Sequence, residues 1–380
     1  MKKSGRRKFI KNLSSCALLA SINPKFLKSL FPEDLFLNSS SELSYVEAKF
    51  YKKLPDNEVK CEICPRECVV GDKERGYCGV RENKKGKYYI LVYGRPCALN
   101  VDPIEKKPFF HFLPGTEAFS IATAGCNVNC KFCQNWQISQ VRPEQIRSFD
   151  VSPEEIVKYA KRYGAPSISY TYSEPIIFYE YMYDVSLIAW RNGIRNTVVT
   201  GGHINPEPLL ELTKVVDAIK VDLKAFHEKF FKEIVRGELK PVLETIKLIK
   251  KSGKWLEIVY LVIPTLNDSP EDIRKMSQWL VKEVGNDVPI HFSRFYPMYL
   301  MKNLPPTPIS TLEKLRDITI KEGVKYVYIG NVPGHEGEKT FCEKCGQIIV
   351  DRFGYTIRNI NIKNGKCKFC LSKIPGVWNI

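Results

Sequence analysis

Eleven of the thirteen cysteines in this chain fall into three tight groups, and no other feature restricts its fold and chemistry so strongly. Cys61, Cys64, Cys68 and Cys78 form the first. Cys126, Cys130 and Cys133 form the second, and Cys342, Cys345, Cys367 and Cys370 the third; Cys16 and Cys97 stand alone. Disulfide scaffolds spread their cysteines through short secreted domains. Repeated C-x-x-C pairs suit chelation instead, because a short loop can aim both thiolates at one centre. Metal binding is the expected use.

The groups differ in what they can hold. The first has the count for a metal site in loop-like sequence, and its spacing leaves zinc and an auxiliary iron–sulfur cluster both open. The third is two C-x-x-C knuckles separated by FGYTIRNINIKNGK and neighbouring residues. It predicts a small β-rich zinc-ribbon-like module over residues 336–380, too small to bury a core of its own, so that metal supplies folding energy. The central group, C-N-V-N-C-K-F-C, places only three thiolates on one loop. A structural zinc usually takes four protein ligands. Three thiolates can instead hold three irons of a 4Fe–4S cubane and leave the fourth iron open, with Phe132 as an apolar shield between the last two ligands.

Around that loop, strands and helices alternate. Buried-strand candidates are Ala118–Gly125, Ser167–Ser173, Thr197–Gly202, Ala218–Lys224, Leu256–Pro264, Ile290–Pro297 and Tyr326–Asn331. SPEEIVKYAKRYG between two of them has a Ser152 cap, Pro153 at the first position, Glu155 at the third and Gly164 at the stop. Such alternation predicts a parallel sheet, open or barrel-like, with functional groups at the C-terminal ends of its strands. The expected organisation is a leader and linker over 1–44, a cysteine-rich module over 45–100, the α/β unit over 101–335 and the C-terminal module.

Two bulk features bear on partners and location. The formal charge of +16 on 380 residues allows nucleic acid or an anionic surface as a partner. No dense basic run interleaved with aromatics stands out, so a dispersed charge and no nucleic-acid role are expected. A zinc-ribbon nucleic-acid binder or an RNA-modifying enzyme is the competing class, and salt-dependent binding would favour it. The N-terminal GRRKFIKNLSSCALLASI resembles a twin-arginine export signal, although no A-x-A cleavage site follows. Its apolar run from Leu13 to Ile22 is shorter than the roughly 18–20 residues that span a bilayer, so no membrane span is expected. Export is the first expectation for location, with the cytoplasm as the alternative.

The central motif matches the signature C-x-x-x-C-x-Φ-C of the radical S-adenosylmethionine superfamily. That resemblance implies a partial (β/α) barrel and a 4Fe–4S cluster on Cys126, Cys130 and Cys133. It also implies S-adenosylmethionine chelated by the open iron and split to methionine and a 5′-deoxyadenosyl radical, with an electron donor such as a flavodoxin or ferredoxin. Ser173-Glu174-Pro175 resembles the superfamily's G-G-E-P segment, which contacts the methionyl amino group, with Tyr172 and Ser173 in place of the glycines. Thr200-Gly201-Gly202 looks like its T-N-G turn without the Asn. Asp222 in VDLK resembles the D-L-K of glycyl-radical activating enzymes. For Glu174 and Asp222 the competing roles are a helix cap and a salt bridge. His111, His203 and His291 are the histidines with a claim on chemistry, though isolated histidines are more often structural.

With CEICPRECVVGDKERGYCGVRENKKGKYY, DPIEKKPFFHFLPGT, GCNVNCKFCQNW, YTYSEP and DAIKVDLKAF in one chain, the resemblance sharpens. From Cys61 to Trp378 the chain resembles the AmmeMemoRadiSam-system radical S-adenosylmethionine enzymes, relatives of the pyruvate formate-lyase activating enzyme. That family implies Memo-like and AMMECR-like partners and a protein or small-molecule hydrogen donor. Glycyl-radical activating enzymes carry D-G-P-G-x-R shortly before the cluster. Here DPIEKKPFFHFLPG takes its place, which leaves the activase role open.

Overall fold

The computed structural model describes residues 39–40 and 42–379, so the twin-arginine-like leader and most of the expected linker lie outside the described residues. Its centre is an eight-stranded sheet. The strands are β1 (Ala98–Pro103), β2 (Glu117–Ala122), β3 (Ser167–Tyr170), β4 (Arg195–Thr200), β5 (Ala218–Asp222), β6 (Trp255–Val262), β7 (Ile290–Arg294) and β8 (Val327–Gly330). They lie side by side in sequence order, β2 to β8 all parallel, with β1 antiparallel on the β2 edge. All seven expected strands are present. β1 is an addition that crosses the expected boundary at residue 100, and its mixed ALNVDP sequence gives no buried-strand pattern.

Helices α1 (Pro153–Arg162), α2 (Tyr179–Arg191), α3 (Pro206–Leu212), α4 (Leu239–Lys251), α5 (Pro270–Trp279) and α6 (Ile309–Lys321) connect the parallel strands. Parallel neighbours need such crossovers. Helix α1 starts as its sequence requires: Ser152 accepts from the Glu155 backbone at 3.3 Å, and Glu155 returns to the Ser152 backbone at 2.7 Å. Its buried positions Ile156, Val157 and Ala160 recur at helical spacing and join the main core.

Strand register divides the sheet into two unlike faces. Phe119, Ile168, Val198, Ile219, Ile258, Ile290 and Ile329 belong to the core shared with the helices. The opposite face carries Ser120, Ser169, Thr197, Lys220, Glu257, His291 and Tyr328, all buried. The pairings Ser169↔Ser120, Ser169↔Thr197, Lys220↔Glu257 and His291↔Tyr328 place these residues in rows across the strands. Side chains alternate in a strand, so a polar set on one face demands a compensating network rather than oil. This arrangement is a partial barrel with a small and polar interior.

The segment after β1 closes the N-terminal end of that interior. Ile104, Phe109, Phe112 and Leu113 pack on Ala118 and Ala218. The Glu257 carboxylate accepts from the backbones of Phe110 (3.0 Å) and His111 (2.8 Å), from Trp255 Nε1 (2.9 Å) and from His291 Nε2 (2.7 Å). Burial alone would raise the Glu257 pKa, but His291 and these donors hold it below the usual range. His111 and His291 therefore serve the fold.

The C-terminal module docks at this same end. Its strands Thr340–Phe341, Ile348–Phe353 and Thr356–Ile360 form an antiparallel sheet, followed by a small hairpin of Ile362–Lys363 with Lys366–Cys367. Arg352, fully buried, donates to the Phe110 carbonyl at 2.6 Å and to Thr340 Oγ1 at 2.7 Å. The N-terminal module goes to the other end. Its hairpin Arg81–Lys84 with Lys87–Ile90 pairs with Val46–Glu47, and a second small sheet runs through Tyr51–Lys53, Val59–Cys61 and Val69–Val70.

Candidate active site

The loop after β2 carries Cys126, Cys130 and Cys133 and is tied down on several sides. Gly125 N donates to the Ile138 carbonyl (2.9 Å), Asn129 N to Val235 (3.0 Å) and Lys131 N to Ile234 (3.0 Å). Asn127 Nδ2 donates to the His203 carbonyl at 2.8 Å, and Asn135 Nδ2 to the Tyr172 carbonyl at 3.0 Å. The loop is thus pinned to the turns that follow β3 and β4. Phe132 packs on Phe230 with ring centroids 5.9 Å apart, and Ser139 Oγ lies 3.1 Å from Cys133 Sγ.

Burial pushes all three thiols up, Cys130 to about 12. The countervailing charge is Lys224, whose ammonium offsets the anionic charge at Cys130 and Cys133 and lies 5.7 Å from the Phe132 ring. Burial works against the ammonium, but Asp222 and the three thiols hold its pKa above the ordinary range. Among the described residues no three of these sulfurs come within 4.8 Å of one another. A single ion would draw them closer, since a tetrahedral Zn–S bond of about 2.3 Å puts sulfurs about 3.8 Å apart. The three sulfurs therefore do not stand at single-ion spacing.

Glu174, Thr200 and Gly201 converge beside this loop. Glu174 Oε1 accepts from Thr200 Oγ1 at 2.6 Å, and Oε2 accepts from Gly201 N at 2.8 Å. Gly202 N donates to Thr200 Oγ1 at 3.0 Å and takes a φ of 78°, which favours glycine. Burial raises the Glu174 pKa, while Thr200, Gly201 and the Ile176 backbone pull against it. The Ile176 bond, at 3.3 Å, is a helix cap, so that competing role is present as well. Asp222 lies at the end of β5 in an ion-paired row with Lys220 and Lys224. Burial would raise its pKa, but the two ammonium groups win and lower it.

The substituted glycines leave a visible mark. Tyr172 takes a φ of 67°, a left-handed conformation that glycine enters freely. Its hydroxyl donates to Asp102, which Lys106 and Lys107 also bind, and its carbonyl is held by Asn135. The backbone therefore keeps a glycine-like conformation at this position, anchored by the tyrosine side chain.

Several residues at this end had no motif to announce them. Lys224 is one, legible only as the last letter of VDLK. His203, by contrast, was a candidate in the sequence; it is buried and neutral, because burial, then Lys224 and Arg66, lower its pKa to about 4. Its Nε2 accepts from Glu238 N at 3.1 Å and the ring also meets the Gly201 backbone, while Asn127 Oδ1 is buried without a partner. Buried polar atoms without partners are costly. That orphan, in the cysteine loop itself, suits a polar ligand.

The N-terminal module leans over the same loops. Asn205 N donates to the Ile63 carbonyl at 3.1 Å and Asn205 Nδ2 to Glu62 at 2.9 Å. Arg66 binds the carbonyls of Asn127 and Arg236. A cleft of about 980 Å³ runs between module and barrel, with Cys78, Cys126, Arg75 and Arg142 in its lining.

Cys342, Cys345, Cys367 and Cys370 gather their sulfurs within 4.8 Å of one another, and among the described residues no other cysteine group does so. Cys342 and Cys370 are 3.6 Å apart and Cys345 and Cys367 3.8 Å. The four sulfurs could hold one metal ion.

The sequence profile of the radical SAM superfamily matches residues 120–279, the stretch holding the cysteine loop, Glu174, Thr200 and Asp222. An uncharacterised protein of Methanocaldococcus jannaschii is 49% identical over 330 residues, covering 86% of this chain and 98% of the relative. The pyruvate formate-lyase-activating enzyme of Listeria monocytogenes is 24% identical over 170 residues, 43% of this chain and 68% of that enzyme. A crystal structure of a radical SAM methyltransferase from Sphaerobacter thermophilus aligns with a TM-score of 0.46 at 15% identity, over 84% of this chain and 86% of that one. The chain belongs to the radical SAM superfamily, within it to the family of the Methanocaldococcus protein, and is an enzyme. The superfamily implies a 4Fe–4S cluster and S-adenosylmethionine.

Proposed function

We propose that this enzyme uses Cys126, Cys130 and Cys133 to hold the cluster and removes a hydrogen atom from a protein or small-molecule substrate. When bound, the cluster supplies one electron to S-adenosylmethionine, which yields methionine and a 5′-deoxyadenosyl radical. The observation that carries this reading is the meeting of the wide three-cysteine loop with the Glu174–Thr200–Gly201 group at the strand ends. Thr200 and Gly201 aim the Glu174 carboxylate, which is to accept the methionyl ammonium as a charge-assisted partner. Lys224 balances the negative charge of the thiolates. The N-terminal module and the loop at Leu300, whose N donates to the Lys131 carbonyl at 3.0 Å, limit water at the cysteine loop. The four C-terminal cysteines take a structural zinc: four protein sulfurs leave it no open position, and the module packs at the opposite end of the barrel from the cysteine loop.

A glycyl-radical activase is the second reading, favoured by the Listeria relative. Against it, the segment DPIEKKPFFHFLPG serves here to close the N-terminal end of the barrel. An electron donor of the flavodoxin or ferredoxin kind is needed in either case, and Memo-like or AMMECR-like proteins are the partners to test first.

The test is anaerobic reconstitution with iron and sulfide, reduction with dithionite, and assay of 5′-deoxyadenosine and methionine. Equal amounts of the two are expected from the wild type, and none from Cys126→Ala, Cys130→Ala or Cys133→Ala. Wild-type yields from any of these variants would refute the assignment.

A further inference from the structure

The first cysteine group sits apart from both others in its geometry. Cys61 and Cys64 are buried, and Cys68 and Cys78 are half-buried. Cys61 N donates to the Cys68 carbonyl at 2.9 Å, and Tyr77 N, next to Cys78, donates to Cys68 Sγ, which draws the three segments together. Yet among the described residues no three of these sulfurs come within 4.8 Å of one another. In that they match the central loop and differ from the C-terminal quartet, whose sulfurs stand at single-ion distances.

The surroundings point the same way. Tyr88 is 0% exposed and its hydroxyl has no hydrogen-bond partner. That hydroxyl lies near the group: a Cβ built on Gly76 would be 2.6 Å from it and 3.7 Å from Cys68 Sγ. A buried hydroxyl left unpaired costs about 1–3 kcal/mol, so it calls for an acceptor in the space between the sulfurs. Arg81, also 0% exposed, lies near enough to Cys61 and Cys78 to act on their charge, and Glu180 holds it through two bonds of 3.1 and 2.6 Å. Tyr77 N donates to Cys68 Sγ at 3.4 Å. A zinc on four thiolates would need the sulfurs closer together and would offer Tyr88 nothing but those thiolates. A cubane spreads its thiolates over four irons and presents inorganic sulfides as further acceptors.

We infer that Cys61, Cys64, Cys68 and Cys78 hold a second iron–sulfur cubane, with Tyr88 and Arg81 against it, beside the centre that cleaves S-adenosylmethionine. It rests on the reading of the central loop as a cluster site. Gly125, directly before Cys126, is the point of contact: a Cβ there would lie 2.6 Å from the Cys78 carbonyl. Four protein ligands leave this centre no open iron, so it is not a second site for S-adenosylmethionine.

Metal analysis of the full chain, reconstituted anaerobically, tests this. The wild type should hold about eight irons and one zinc, against about four irons and two zincs if the first group is a zinc site. The combined variant Cys126→Ala, Cys130→Ala, Cys133→Ala should keep about four irons and, once reduced, a paramagnetic 4Fe–4S signal. Tyr88→Phe in that background should leave the iron content unchanged and move the cluster's midpoint potential to more negative values, because a donor to sulfur has gone. An iron-free combined variant carrying two zincs would overturn the inference. If that variant does not fold, the wild-type iron-to-zinc ratio decides alone. A wild type with no iron at all would instead overturn the reading of the central loop.

Discussion

At the residue scale, the site depends on side chains that do two jobs. Glu174 is the clearest. Its carboxylate knits the end of β3 to the turn after β4 through Thr200 and Gly201, and in the proposed role it also accepts an ammonium group. The two jobs separate by substitution. Glu174→Gln keeps an acceptor for Thr200 Oγ1 or Gly201 N but loses the charge. Glu174→Ala loses both and leaves three buried donors, on Thr200, Gly201 and Ile176, without this acceptor, at about 1–3 kcal/mol each. Titration of the reconstituted enzyme with S-adenosylmethionine should show roughly one to two decades of lost affinity in both variants, the value of one charged hydrogen bond. Glu174→Ala should also lower the unfolding midpoint, and by more than Glu174→Gln, and iron content should stay level throughout. Unchanged affinity in Glu174→Gln would confine the residue to its capping role. The site was legible in the sequence where one segment carried the pattern, as in the cysteine loop and YTYSEP. Lys224 and Asn127 were not, because their roles arise from loops that meet only after folding, and no local spacing records that meeting.

At the element scale, strand–helix alternation predicted all seven parallel strands, since each is a short run with apolar residues on its helix-facing side, buried on both faces and set between helical stretches. The missed strand, β1, lies antiparallel on the sheet edge and mixes Asn100 and Asp102 with its apolar residues. The sequence predicted a zinc ribbon for the C-terminal quartet but left the first group open, because cysteine spacing reports chelation and not the distance between sulfurs. The two modules differ in docking. Gly125 shows how tightly the N-terminal module meets the cysteine loop. Its φ is 93°, and any Cβ would strike the Cys78 carbonyl. Gly164, at the end of α1, has a φ of 64° but nothing within 4 Å of a built Cβ. Gly164→Ala should therefore cost only the backbone term, about 1–2 kcal/mol. Gly125→Ala adds a backbone clash and should cost clearly more, with loss of iron from the reconstituted protein. Denaturant midpoints and iron analysis on both variants check this, and equal losses would mean the module does not bear on the loop.

At the scale of the whole molecule, the barrel is closed differently at its two ends, with cysteine chemistry over the strand C-termini and a polar lock beneath. The lock joins three parts of the chain. Arg352 donates to Thr340 Oγ1, which lies 2.9 Å from the Tyr328 hydroxyl, and that hydroxyl lies 2.5 Å from His111 Nε2. His111 Nδ1 lies 2.7 Å from the Pro375 carbonyl, which can only accept. Nδ1 must then carry the proton, so Nε2 accepts from Tyr328 and the imidazole is neutral. Burial is the main cause that lowers the His111 pKa to about 4, from 6.5. The sign of the linkage follows. Between these values the unfolded chain binds a proton that the folded chain refuses, so stability is full above about pH 6.5 and falls as pH drops toward 4. One such group contributes a slope of about 1.4 kcal/mol per pH unit, or about 3 kcal/mol across the window. His203, lowered to about 4 as well, adds a similar slope in the wild type, so the comparison must be with a variant that removes only one of them. His111→Gln cannot titrate, and its stability should fall less steeply between pH 6.5 and 4.5 than that of the wild type. Denaturant unfolding at several pH values measures both slopes, and metal analysis of the same samples separates proton uptake at His111 from release of the C-terminal ion. Parallel slopes at equal metal content would mean that His111 ionises without strain and that the C-terminal module is held by its other contacts.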